Sequence, residues 1–191
     1  MSKWWKIDKI PLKDKNFQII LNGFLFECPS CKKNYKKGEK STYQPVSKRG
    51  KTFRERNISG QLLRNLNNEI KKSINKMYVV SKKQDDNLDE LIRNKYVENG
   101  YSDSNTELIA FVSYGKNMTD TEVIYYYIRN ALAHGSFQVI KSKPKVYVFE
   151  SNNHGLLKAR IRLKESTLLY LIKLAQMDPQ QIKSLTKNKG V

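Results

Sequence analysis

Apolar residues recur three and four apart from residue 61 onward, with Leu62, Leu63, Leu66, Ile70, Ile74 and Met77 forming one stripe, so the spacing predicts an amphipathic helix over 61–80. The pattern predicts a second helix over 88–96 and a third over 107–114. The best-marked element lies over 120–134. There Thr119 and Glu122 have the spacing of a capping box, and Asp120 and Glu122 place negative charge at the positive end of the helix dipole. Val123, Ile124, Tyr127, Ile128, Ala131 and Leu132 give that helix an apolar face, and Gly135 is a C-terminal cap. Of the three consecutive tyrosines at 125–127, Tyr127 is expected in the core. Beyond the cap, 136–140, 146–150 and 156–163 read as strands, with turn chemistry at Asn152, Asn153 and Gly155. A last amphipathic helix is expected over 165–176. The fold class so predicted is mainly α, a helical bundle with a small β-hairpin or sheet insertion after the helix at 120–134.

Three parts follow from this patterning. Residues 1–57 form an N-terminal appendage, with an apolar strand or short helix over 17–26 and a basic flexible loop over 28–57. Residues 58–177 form the main domain, and 178–191 a basic C-terminal tail.

Candidate chemistry concentrates at the end of the helix at 120–134, in Arg129-Asn130-Ala131-Leu132-Ala133-His134. The chain has two histidines, and here one is set beside a cation and an amide. Imidazole moves protons near neutral pH, and guanidinium holds phosphate through a planar fork of donors. Asn130 and His134, four apart, share a helix face. Arg129 lies roughly 140° from His134 around an ideal helix. Its head therefore has to curl round or act in a second subunit, as in a composite site at a two-fold interface.

This Arg-polar-x-x-x-His pattern at a helix end resembles the HEPN superfamily (higher eukaryotes and prokaryotes nucleotide-binding). The run YYYIRNALAHGSFQV, with the following segment LLKARIRLKESTLLYLI, is similar to the branch of small bacterial defence and toxin ribonucleases. The likeness covers roughly residues 55–176 and none of the first 50. It implies a HEPN-like bundle and a homodimer with metal-independent endoribonuclease activity, acting as a toxin or an anti-phage abortive-infection effector. In that reading His134 is the general base or acid, Arg129 binds the scissile phosphate and Asn130 orients it. The implied products are a 2′,3′-cyclic phosphate and a 5′-hydroxyl, with no cofactor. Some relatives are silenced by modification of a Tyr two residues past the motif His. Ser136 stands there in this chain, which argues against that control.

Charge supports a polyanionic partner: 36 Lys and Arg against 18 Asp and Glu give a net charge of +18. Lys141 and Lys143, shortly after the motif, are candidates for RNA contact. Cys28 and Cys31 form a CxxC pair, half of a zinc knuckle. A structural zinc site needs four ligands, so the pair binds metal only with His154 or across a dimer, and otherwise the thiols are reduced. No apolar run reaches the length of a membrane span, and the first residues lack the apolar stretch of a signal peptide, so a cytoplasmic location is expected. Two alternatives accompany the ribonuclease reading. One is a non-catalytic RNA-binding module. The other is a helical subunit whose basic surface serves an acidic partner or an inhibitory antitoxin.

Overall fold

The computed structural model describes residues 13–29, 52–74, 77–83, 86–99, 106–113, 118–141 and 143–187. These residues form six α-helices and one five-stranded mixed sheet. In chain order the helices are α1 (Lys15–Asn22), α2 (Gln61–Ser73), α3 (Leu88–Asn99), α4 (Asp120–His134), α5 (Glu165–Gln176) and α6 (Pro179–Lys187). The strands are β1 (Met77–Ser81), β2 (Leu108–Val112), β3 (Phe137–Ile140), β4 (Val146–Asn153) and β5 (Leu156–Lys164), in spatial order β1-β2-β5-β4-β3. β1 and β2 are parallel with α3 between them in the chain, and every other pairing is antiparallel.

The fold is therefore α/β, which corrects the mainly α bundle predicted from periodicity. Two segments cause the difference. The stretch expected to be a helix over 107–114 is β2, whose five residues are all buried. Ile109 and Phe111 pack into the main core with α4 and α5, while Leu108 and Ala110 pack on the other face with Leu88 and Ile92 of α3. A strand covered on both faces reads as an unbroken apolar run, and such a run has no period to separate it from a buried helix. The helix expected over 61–80 stops at Ser73, and its continuation is β1, with alternating burial. Ile74 and Met77 happen to extend the helical stripe, which hides the change of period from 3.6 to 2.

The main core holds α4 against the sheet on one side and against the N-terminal segment and α5 on the other. Phe17 stacks on Phe137 and Tyr147, while Phe24 and Phe53 meet the ring of Tyr125. Tyr125 is buried along with Tyr127, and its hydroxyl donates to Leu171 O at 2.6 Å. Tyr127 is in the core as expected, and Tyr125 joins it because α4 is covered on more than one side. A five-residue π-helical segment, Gly23–Glu27, continues α1 past Asn22, and a Cβ added at Gly23 would lie 2.6 Å from Ile172 Cδ1. Residues read as the start of a basic tail form α6, whose Ile182 is fully buried. No helix among the described residues is long and apolar enough to cross a membrane.

Candidate active site

The chemistry-bearing end of α4 is held by local capping at both ends. Thr119 Oγ1 accepts from Glu122 N, and the Glu122 carboxylate accepts from Thr119 N at 2.9 Å, so the capping box forms as its sequence predicts. At the other end Gly135 takes φ 67°, the left-handed conformation open to glycine, and Ser136 N donates back to Ala131 O at 2.8 Å. Ser136 O then accepts from Glu150 N at 3.0 Å. The turn after His134 is thereby fastened to β4.

An open cleft of about 530 Å³ lies between this end of α4 and the β4–β5 hairpin. Tyr126, Asn130 and His134, spaced four apart, line one wall, and Asn152, Asn153 and Lys158 line the other. His134 is exposed and Asn130 half-buried. The hairpin closes through His154 (φ 48°) and Gly155 (φ 77°), positive at both positions as a two-residue turn matched to strand twist requires. Its stem is braced by Arg160, which donates to Glu150 Oε1 at 2.7 Å and to Asp89 Oδ1 of α3 at 2.6 Å.

The structure separates the predicted site residues. Asn130 and His134 share the cleft. Arg129 does not line it: four residues past Tyr125, it lies on that residue's face of α4, 7% exposed, with its Nε lacking a hydrogen-bond partner among the described residues. Lys141 and Lys143 are exposed and follow the far end of β3, whose four residues span about 13 Å, so neither reaches the cleft wall. Cys28 is buried beside the core aromatics, and burial pushes its thiol far above the ordinary range, so it is a neutral core residue. Cys31, with the rest of residues 30–51, lies outside the described residues. Among the described residues no group of three or more His, Cys, Asp and Glu side chains could hold a metal ion.

Sequence singles out Asn152 and Asn153 only as turn residues, and Lys158 not at all. Alternation in Leu157-Lys158-Ala159-Arg160-Ile161-Arg162 marks the strand, but nothing in it shows which strand end meets α4. Comparison of the chain with models of protein families, with curated proteins and with solved structures finds no match.

Chemically, the arrangement offers an exposed imidazole, an amide one turn away and an ammonium across the gap. The volume falls within the range of about 300–1,000 Å³ usual for small-molecule sites, enough for one nucleotide unit of a longer chain.

Proposed function

We propose that this cleft is a ribonuclease site acting by metal-independent transesterification. The observation that carries the reading is His134, exposed at the mouth of a polar cleft with Asn130 on the same helix face. In the step proposed, a proton leaves the ribose 2′-hydroxyl and the 2′-oxygen bonds to phosphorus. The bond from phosphorus to the 5′-oxygen breaks, and that oxygen takes a proton. His134 performs one of the two proton transfers, and Asn130 donates its amide N–H to a non-bridging oxygen or holds the imidazole in place. A 2′,3′-cyclic phosphate and a 5′-hydroxyl result. General acid–base catalysis of this kind contributes about 10²–10⁴-fold, so His134→Ala should remove most of the activity while leaving RNA association in place. Likeness of the motif to HEPN ribonucleases supports the assignment at the level of Arg129, Asn130 and His134 alone, since the fold is not the bundle that likeness implies. Toxin or anti-phage action in a cytoplasmic homodimer is the setting proposed with it.

One observation favours a second reading, a non-catalytic RNA-binding module. Arg129, assigned by the resemblance to the scissile phosphate, is withdrawn from the cleft. Cleavage of a defined RNA in EDTA, comparing wild type with His134→Ala, decides between the two: a catalytic cleft loses turnover in the variant, whereas a binding module shows none in either protein.

A further inference from the structure

β5 contains an irregularity with a chemical consequence. Its register with β4 shifts by one residue, because Ala159 pairs with Ser151 whereas Leu157 pairs with Asn152, leaving Lys158 as the extra residue. A bulge of this type turns two successive side chains toward one face of the sheet. The flanking residues show the break in alternation. Leu157 packs with Leu88 and Ile92 on the α3 face, while Ala159, two residues on, packs in the core that holds α4. In an unbroken strand Lys158 would follow Arg160, which meets Asp89 on the α3 side. Instead Lys158 is half-buried and lines the cleft with Asn130 and His134.

We infer that Lys158 is the phosphate-binding cation of the cleft, supplying through the bulge the charge that Arg129 does not bring there. The inference rests on the ribonuclease reading for its catalytic consequence, though not for the contact itself. Phosphoryl transfer adds negative charge to the non-bridging oxygens as the 2′-oxygen attacks, and an ammonium facing them acts more strongly in the transition state than in the ground state. Lysine suits this geometry as a compact point charge on a flexible stem, able to reach an oxygen across an open gap. The motif resemblance would assign this role to Arg129, so the two residues make opposite predictions.

The test uses the full chain in EDTA, with single-turnover cleavage of a defined RNA and equilibrium binding of a non-cleavable 2′-deoxy analogue. It compares wild type, His134→Ala, Lys158→Ala, Lys158→Arg and Lys173→Ala, the last an exposed α5 cation remote from the cleft. Loss of a single transition-state donor of this kind costs about 10²–10³-fold in rate. The expected result is a fall of that size in Lys158→Ala, larger in kcat than in KM, substantial recovery in Lys158→Arg, and no change in Lys173→Ala. Unchanged folding by circular dichroism keeps the comparison fair. Full activity in Lys158→Ala alongside an inactive His134→Ala would overturn the assignment while leaving the ribonuclease reading intact. Should wild type cleave nothing, the ribonuclease reading fails and binding alone judges Lys158. A salt slope shallower by about 0.7 in Lys158→Ala than in wild type then supports the contact, and an unchanged slope overturns it.

Discussion

His134 and Arg129 stand five residues apart on one helix and have different surroundings: one faces an open cleft, the other is packed away, its Nε without a hydrogen-bond partner among the described residues. That contrast follows from their angular positions on α4, and in the proposed reaction it makes the imidazole the residue on which turnover should depend. Tyr125, on the buried face, carries structure instead. Its hydroxyl donates to Leu171 O inside the core, and burial raises its pKa well above the ordinary phenol value, so it stays a neutral donor. Tyr125→Phe removes that hydrogen bond from a carbonyl lying within α5 and should cost about 0.5–1.5 kcal/mol in urea unfolding without changing the cleft. Asp14 caps α1 by accepting from the amides of Asn16 and Phe17, and it pairs with Lys145, which also meets Glu165. The hydrogen bond and charge of Lys145 hold the Asp14 carboxyl below its ordinary range. Because its folded pKa is depressed, the stabilisation is present above the unfolded carboxylate pKa and is lost as pH falls through the folded value. Melting temperature should therefore drop on acidification across the carboxylate range, and the drop should be smaller in Asp14→Asn.

At the scale of elements, α4 was the most legible part of the chain because its signals are local. A capping box, a glycine in the left-handed region and helical spacing need no knowledge of the rest of the fold. β2 was not legible for the opposite reason: its character comes from being covered on both sides, and a sequence window does not show what covers it. β1 was hidden because Ile74 and Met77 prolong the helical stripe of α2. The site divides the same way: Asn130 and His134 follow from helix geometry, whereas Lys158 depends on a bulge whose register exists only once β4 pairs with β5. Packing of the N-terminal segment offers a further test. At Gly23 φ is −57°, so the backbone itself would accept alanine, but the new Cβ would press on Ile172 at 2.6–3.2 Å. Overpacking of this kind typically costs about 1–3 kcal/mol, more than the gain of about 1 kcal/mol from replacing a helical glycine. Gly23→Ala should thus destabilise the protein, and combining it with Ile172→Val should recover part of the loss. Two additive losses would show that the contact does not couple the segments.

The whole molecule carries a net charge of +18, an excess distributed well beyond the cleft. This charge draws in polyanions at long range but does not single out RNA or a cleavage site. Association with single-stranded nucleic acid should weaken steeply with salt, by about 0.7 in logarithmic slope for each phosphate neutralised, and RNA and DNA of equal length should bind alike. In the proposed reaction, discrimination belongs to the chemical step, where only RNA has the attacking 2′-hydroxyl. Local chemistry and global charge thus have separable readouts, in turnover and in binding. The most direct test of the central claim is cleavage of a defined RNA in EDTA by wild type and by His134→Ala, with the product ends identified. The account predicts 2′,3′-cyclic phosphate and 5′-hydroxyl ends from wild type and a loss of about 10²–10⁴-fold in the variant. Equal cleavage by the two proteins, or RNA binding with no cleavage by either, would contradict it.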